Sequence, residues 1–261
     1  ARAVARLTRR AFLGGLGASL LLRVSPACAQ PAAPSNLSVG GSAVMPAPGF
    51  DAAASAEDFG VSSLTWSHTC TGTNLALLVI VASRAVAVTG VTYNSVPLSN
   101  LWAVQDSGNQ ERSEGWILVA PATGAHNVVV TLVGSSGDLL GGSESYVDVH
   151  QTTPTGTAAT NSNNFSNAPT VDVTSASGEL VVDGVAARSS LTAVGAGQTQ
   201  RVNLTGGADS VGGSEEAGAA TVTMSWTMAA ENPWAIGGVS LKPLAAGGAA
   251  VYHRLPLLGV G

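Results

Sequence analysis

The stretch SLTWSHT at residues 63–69, followed after the turn residues GTN at 72–74 by LALLVIVA at 75–82, decides the fold class. In the first part Leu64, Trp66 and His68 alternate with polar residues, as in a strand that buries one face. The second part is an almost unbroken apolar run, which is typical of a strand buried on both faces. Together the two parts predict consecutive strands of a β domain.

Short apolar or alternating runs continue outward from this stretch, and each is closed by turn residues. Val, Thr, Ser, Gly and Asn dominate the composition, whereas only 10% of the residues are charged and helix formers are scarce. We therefore expect an all-β fold, an antiparallel, jelly-roll-like β-sandwich of roughly ten to twelve strands that forms one domain at 51–243. Further strands are predicted at 86–93, 96–98, 101–104, 115–120, 127–133, 139–150, 170–174, 180–187, 198–204, 219–228 and 234–241.

The first 29 residues have the layout of a twin-arginine export signal. A basic segment precedes an apolar run at 11–22, which at twelve residues is too short to span a bilayer as a helix. Small residues then suit a cleavage site before Gln30. The signal predicts export to the periplasm, the cell surface or the medium, and an arginine-rich transit peptide is the alternative. The residues that carry it are Arg9, Arg10, Phe12, Leu13, Ala27 and Ala29.

The chain that would follow the signal is acidic. Residues 1–29 hold five of the eleven bases and none of the sixteen acids, which leaves six bases against sixteen acids. Nucleic acid binding needs clustered bases, so this charge argues against a nucleic acid partner. Cys70 is the one cysteine after residue 29, so an internal disulfide is excluded there.

Two segments flank the predicted domain. Residues 30–50 are rich in Pro, Ala, Ser and Gly and predict a linker. Residues 244–261 combine a Gly/Ala spacer with an apolar tail. An exposed apolar tail favours packing or strand addition, so we expect that self-association could run through it.

Several of these motifs together resemble an uncharacterised β-sandwich domain of bacterial secreted and cell-surface proteins. The resemblance implies an extracellular sandwich without an established activity, and it carries over no catalytic residues. It covers residues 60–243 and rests on the segments TWSHT at 65–69, LALLVIVA at 75–82, VTGVTY at 88–93, WILVAP at 116–121, VD at 147–148 with QTTP at 151–154, GEL at 178–180, GAGQTQR at 195–201, ATVTMSW at 220–226 and WAIGGVSLKP at 234–243.

One predicted strand carries a row of functional side chains. Glu144, Tyr146, Asp148 and His150 are spaced by two residues, so a strand would project all four from one face. Such a row could bind sugar hydroxyls or a divalent cation, or supply an acid and a base. The two carboxyls would lie about 13 Å apart, too far for glycosidase chemistry. The alternative is an ordinary solvated sheet face.

A second acidic group predicts a calcium site. Asp209, Glu215 and Glu216 belong to the Gly-rich segment 206–218, which reads as a loop. Oxygen ligands on a loop suit calcium, and a plain solvated loop is the alternative. Histidines are too dispersed for a metal site, and cofactor motifs are missing from the sequence, so calcium is the one possible cofactor.

The tryptophans offer a route to sugar binding. Trp66, Trp116 and Trp226 lie inside predicted strands, where packing in the core explains them. Trp102 and Trp234 follow turn residues, so we expect these two to be exposed and able to stack on sugar rings.

The sequence thus predicts an exported, non-enzymatic β-sandwich with a structural or adhesive role at the bacterial cell surface, and its partners would be glycans or other surface proteins. The first alternative is a carbohydrate- or calcium-dependent binding module. The second is a hydrolase whose site carries no motif, since Gly-x-Ser-x-Gly and His-Glu-x-x-His are both missing from the sequence.

Overall fold

The computed structural model describes residues 46–244, and within them fifteen β-strands form and no helix does. The all-β, antiparallel fold is confirmed, whereas the predicted number of strands was too low. The strands are β1 (Gly49–Cys70), β2 (Ala76–Ser83), β3 (Val88–Tyr93), β4 (Val96–Pro97), β5 (Ser99–Gln105), β6 (Arg112–Val119), β7 (Gly124–Val147), β8 (Ala159–Ser166), β9 (Thr170–Thr174), β10 (Leu180–Ala187), β11 (Leu191–Val194), β12 (Thr199–Gly206), β13 (Asp209–Ala217), β14 (Thr221–Met228) and β15 (Asn232–Leu241).

The count differs because several strands carry no apolar pattern. β8 has the sequence ATNSNNFS, and all of its side chains are exposed or half-buried. An edge strand of this kind gives no hydrophobic periodicity, so nothing in its sequence separates it from a loop. The signal at 1–29, most of the linker and the tail beyond residue 244 lie outside the described residues, and β1 already begins at Gly49.

The strands stack in four layers. The largest sheet folds over on itself because β1 and β7, at 22 and 24 residues, pair along their whole length and run through two layers. Layer 1 contains β3, β4, the first half of β7 and the second half of β1, whereas layer 2 has the order β5-β6-β2-β7-β1. Layer 3 is the sheet β12-β13-β10-β15-β8, and layer 4 is β11-β14-β9.

The fold-over lies where the pairing of β1 with β7 is irregular. Val61 pairs with Ser136, but the next paired residue of β1, Ser63, pairs with Thr131. The bend carries Trp66 back over layer 2, where a Cβ atom at Gly141 would lie within 2.4 Å of the indole ring. One apolar cluster therefore fills the space between layers 1 and 2.

Layers 2 and 3 are buried on both faces. Every residue of β2 is buried, as its unbroken apolar run predicts. Its even-numbered residues face layer 3, whereas its odd-numbered residues face layer 1. β10 alternates in the same way between layers 2 and 4. Residues 46–244 therefore form three cores, one in each space between layers.

The second half of the domain repeats the first. The order β5-β6-β2-β7-β1 of layer 2 corresponds strand by strand to β12-β13-β10-β15-β8 of layer 3, and β3-β7-β1 of layer 1 to β11-β14-β9 of layer 4. Registers agree as well, because Gly115 pairs with Ile80 as Gly213 pairs with Gly184. Across the central contact the order is reversed, with β5 against β8 and β1 against β12. A pseudo-twofold axis along the strands therefore relates the halves.

Trp102 joins the two halves. The side chain is 3% exposed, and its indole occupies space that glycines leave open on both sides. A Cβ atom at Gly115 in layer 2 would lie within 2.4 Å of the ring, and one at Gly237 in layer 3 within 2.3 Å. The indole nitrogen donates to Ser113 Oγ at 3.3 Å, and Ser113 Oγ donates to the Gly184 carbonyl at 2.9 Å. One aromatic side chain thus fixes the separation of layers 2 and 3 on this side of the axis.

The two ends of the described chain meet at one end of the stack. Gly49, the first residue of β1, pairs with Val147, and the Leu244 amide donates to the carbonyl of Asp148, the next residue, at 3.1 Å. We call this the proximal end. β2 and β10 both finish at the opposite end, which we call distal. Residues 46–244 contain no helix of the length and hydrophobicity that a membrane crossing requires.

We predict that Gly237→Ala destabilises the protein by about 1–3 kcal/mol or more, because the added methyl group overlaps the Trp102 ring. Trp102→Ala alone should cost about 3–5 kcal/mol. In the double variant the methyl enters the space that the indole vacates, so the loss should be smaller than the sum of the two. Urea unfolding measures all three, with Gly134→Ala as the control, since a Cβ atom there meets nothing within 4 Å. Full additivity would contradict the packing described for Trp102.

Candidate functional site

Both tryptophans predicted to bind sugar are buried. Trp102 fills the space between layers 2 and 3, and Trp234 lies in the core between layers 3 and 4. The prediction of exposed aromatic faces was therefore wrong at both positions. Turn residues precede each tryptophan in the sequence, but each already belongs to a strand, where alternation directs it inward.

The row of four side chains does not form one face. Glu144 and Tyr146 point into the core between layers 2 and 3, and β7 ends at Val147. Asp148 then has a φ of 58°, a left-handed conformation that turns the chain out of the sheet. His150 lies in the following turn, where Nδ1 accepts from the Thr153 amide at 3.0 Å. The prediction of a shared ligand-binding face was wrong because β7 is covered on both sides.

Glu144 and Tyr146 form a buried polar pair instead. The Tyr146 hydroxyl donates to Glu144 Oε2 at 2.7 Å, while Oε1 has no hydrogen-bond partner within the described residues. Burial raises the pKa of Glu144 to about 8 and the pKa of Tyr146 well above its usual value. The pair connects towards solvent through Glu215, which is ion-paired with Arg201, and the Arg201 guanidinium covers the Phe50 ring at 3.9 Å.

The predicted calcium ligands lie on a strand rather than a loop. Asp209, Glu215 and Glu216 all belong to β13, which is buried over most of its length in the interior of layer 3. Six residues along a strand separate Asp209 from Glu215 by about 20 Å. Each of these two already pairs with an arginine, and no group of three metal-ligating side chains occurs between residues 46 and 244. The prediction of a shared site on a Gly-rich loop was wrong.

The glycines of this segment were read as turn residues, but in the structure they lie in a strand and leave space for neighbouring side chains. A Cβ atom at Gly212 would lie within 2.9 Å of the Trp226 ring, and one at Gly213 within 2.1 Å of Glu144 Oε1. The glycines of β13 thus leave room for large side chains of the neighbouring layers. Only the hairpin at Gly207 and Ala208, where the Gly207 φ is 61°, is a turn.

Asp209 belongs to a cluster of charges at the distal end that crosses the pseudo-twofold axis. Arg84 Nε donates to Asp209 Oδ2 at 2.7 Å, and Arg84 also contacts Asp138. Arg188 donates to Gln110 Oε1 at 3.3 Å, beside Glu111. We call Arg84, Arg188, Glu111 and Asp209 the distal quartet. Its members correspond in the two halves, since each arginine follows the end of β2 or β10 and each acid lies at the start of β6 or β13.

Within the quartet, Glu111 favours its protonated form. Glu111 is fully buried, and neither of its carboxyl oxygens has a hydrogen-bond partner among the described residues. Burial, and next the adjacent Asp209 carboxylate, raise the pKa of Glu111 well above its ordinary range. With its raised pKa Glu111 favours the neutral, protonated form beside Asp209, because two carboxylates in contact do not both ionise in a buried site. The two halves therefore meet at the distal end in a pair of acids with an arginine on either side.

A chain of hydrogen bonds near the proximal end joins two serines, a histidine and an aspartate, which are the residue types of a hydrolase triad. Ser145 Oγ donates to Asp51 at 2.7 Å and contacts His68 Nε2 at 3.0 Å, while Ser143 Oγ contacts His68 Nδ1 at 2.9 Å. His68 and Ser143 lie in the core between layers 1 and 2, and burial lowers the pKa of His68 to about 4. Ser143 Oγ also accepts from the Trp66 indole at 2.9 Å, so the chain ties β1 to β7.

The distal end also carries an exposed aromatic side chain, Phe165, that the sequence did not single out. Phe165 is 74% exposed at the end of β8, next to the loop at residues 106–110. In the sequence, Phe165 stands as the one phenylalanine of an asparagine-rich segment. It was missed because the expectation of sugar binding was based on tryptophans alone. The distal quartet was missed because its members are far apart in the sequence.

Comparison of this chain with protein-family models, with curated proteins and with solved structures gives no significant match.

We predict that Glu111→Gln flattens the pH dependence of stability. In the wild type the folded state keeps a proton that the unfolded state releases above its ordinary pKa of 4.5, so the free energy of unfolding falls as pH rises, by at most about 1.4 kcal/mol per pH unit. Glutamine is uncharged at every pH and removes this loss. Urea unfolding across the pH range gives the slopes, with the exposed Glu231→Gln as control. Equal slopes for Glu111→Gln and the wild type would refute a proton held on Glu111.

Proposed function

We propose that this chain is an exported, non-enzymatic β module that displays its distal end at the bacterial cell surface in a structural or adhesive role. The observation that carries the proposal is the meeting of Gly49 and Leu244 at the proximal end. Whatever precedes and follows the domain joins it at that end, so the domain projects from its point of attachment. The distal end is then the part that a partner meets first.

The same geometry favours display over load-bearing. Tension on a chain that enters and leaves at one end passes through the neighbouring ends of β1 and β15 and leaves the rest of the stack unloaded. A link in a load-bearing fibre would instead need its ends at opposite poles. We therefore favour the adhesive form of the proposal over a purely structural one.

The distal end suits display because ion pairs and hydrogen bonds hold its turns and loop in place. The quartet joins the turn after β2 to the start of β13 and the turn after β10 to the start of β6. Asp106 accepts from the Gly108 and Gln110 amides at 2.7 Å each and thereby fixes the neighbouring loop. Surfaces that are ordered before binding lose less conformational entropy when a partner binds.

We predict that Arg9→Lys with Arg10→Lys stops export and leaves folded protein in the cytoplasm, because the twin-arginine route reads the arginine pair itself. Cell fractionation with immunoblotting measures the distribution. Arg2→Lys with Arg6→Lys keeps the same charge and should leave export unchanged. Export of the Arg9/Arg10 variant at the wild-type level would contradict this route.

We also predict that adhesion depends on orientation. Residues 30–261 are coupled to beads through a cysteine placed either at Thr73, which is exposed at the proximal end, or at Ala208, in the distal hairpin, while the buried Cys70 stays unreacted. Beads coupled at Thr73 present the distal end and should adhere to cells of the producing bacterium, whereas beads coupled at Ala208 should not. Equal adhesion in both orientations, or none in either, would overturn the proposal.

A further inference from the structure

We propose that the outer edge of β8 and the adjoining loop at residues 106–110 form a binding site for a neutral glycan chain. This inference deepens the proposed function, since it takes the distal end to be the displayed end and names the partner's chemical class. It rests on Phe165, on the uncharged polar groups around it and on a groove that continues along β8. We call this surface the β8 edge.

Phe165 projects from an irregularity of the sheet edge. Ser166 pairs with Asn232 and Asn163 pairs with Trp234, so two residues of β8 lie opposite Pro233 alone. Such a bulge redirects side chains, and bulges are common at sheet edges and beside binding sites. The result is a phenyl ring with 74% of its surface in water, although the core between layers 3 and 4 is close by. An aromatic face held in solvent fits the apolar C–H face of a sugar ring.

The two residues before Phe165 are asparagines, and hydrogen bonds hold the side chains of both. Asn164 Nδ2 donates to Ser107 Oγ at 2.8 Å, and its Oδ1 accepts from the Gly108 amide at 3.3 Å. Asn163 Oδ1 accepts from the Phe165 amide at 2.8 Å. Asn109 is exposed on the same loop. Amides offer both donors and acceptors without a charge, which is the pattern that sugar hydroxyls complement.

A groove extends the β8 edge away from the distal end. It lies where β8 and β9 diverge and has a volume of about 290 Å³. Its walls mix polar and apolar side chains and include the acid Asp172, and within it Asn161 Nδ2 donates to the Thr170 carbonyl at 2.8 Å. Asn161 and Phe165 are separated by about 13 Å along the strand, so a site that includes both accommodates several units of a polymer.

Comparison with the corresponding position in the first half of the domain shows how the surroundings of Phe165 differ from those of another exposed phenylalanine. Phe59 lies at the equivalent point of β1 and is 50% exposed. Its neighbours are the acids Glu57 and Asp58, where β8 has amides, and its ring lies against Gly207. The two halves thus place a phenylalanine at the same point, but β8 carries the amides Asn163 and Asn164 before it where β1 carries acids.

The same groups disfavour a lipid surface as the partner. Insertion of Phe165 into a bilayer would take the side chains of Asn163 and Asn164 out of water beside it, and an amide without a hydrogen-bond partner in an apolar environment costs about 2 kcal/mol or more. The acidic composition of the chain after residue 29 also opposes anionic membranes. A neutral polymer carrying hydroxyl groups satisfies the ring and the amides together.

The test is native affinity electrophoresis of residues 30–261 in gels that contain hydroxyethyl cellulose, soluble starch, mannan or, as an anionic comparison, alginate. We expect retardation by at least one neutral polysaccharide and none by alginate. Phe165→Ala should weaken that binding about tenfold or more, as expected when a central aromatic contact is lost. Phe59→Ala matches it in position, and Val96→Ala removes another exposed apolar side chain at the proximal end; both should bind as the wild type does. Melting temperatures confirm that each variant is folded.

Four results would overturn the inference: no retardation of the wild type by any neutral polysaccharide, unchanged binding by Phe165→Ala, an equal loss in Phe59→Ala, or cosedimentation with phosphatidylcholine vesicles that depends on Phe165. Its failure is distinguishable from that of the proposed function. Orientation-dependent bead adhesion without polysaccharide binding would leave display intact and reject the glycan. Polysaccharide binding without orientation dependence of bead adhesion would keep the glycan and reject display of the distal end.

Discussion

The contact between layers 2 and 3 is the constraint on which the rest of the structure depends. Each of these sheets is covered on its other face too, so their central strands must be apolar on both sides. The separation of the sheets is fixed where Trp102 fits against Gly115 and Gly237. Strands at the edges and in the outer layers are released from this requirement, and their outward faces carry Ser, Thr and Asn. A strand next to this contact, such as β2, is thus apolar along its whole length, whereas an edge strand such as β8 is largely polar.

Because layers 2 and 3 are buried on both faces, some ionisable side chains lie inside the stack. These side chains are protonated, hydrogen-bonded or paired with an arginine. Burial raises the pKa of Glu144 to about 8 and that of Asp183 to about 7, so at neutral pH both carboxyls keep a proton far more often than an exposed acid does. Asp183 in addition accepts from the Trp226 indole at 2.8 Å. Asp209 and Glu215 each have an arginine against them. Polar groups in the interior therefore link layers through paired acids, hydrogen bonds and protonated carboxyls.

The sequence predicted the features that follow from hydrophobic periodicity and missed those that depend on which layers meet. The unbroken run of β2 and the all-β class were readable, because burial on both faces leaves a direct pattern. β8 was not, because an exposed edge leaves none. Glycine was read as a turn signal at 206–218, yet most of that segment is a strand in which small residues make room for Trp226 and Glu144. The quartet and the β8 edge join residues that only the pseudo-twofold stacking brings together.

The pseudo-twofold axis has a consequence for how such a molecule can specialise. A dimer of two identical chains would carry every substitution twice, so a change at one edge would always appear at the other. Here both halves belong to one polypeptide, and each edge changes independently while the shared centre is kept. The acids beside Phe59 and the amides beside Phe165 are an instance of that freedom. A single chain can therefore combine a pseudo-symmetric centre with two chemically different sides.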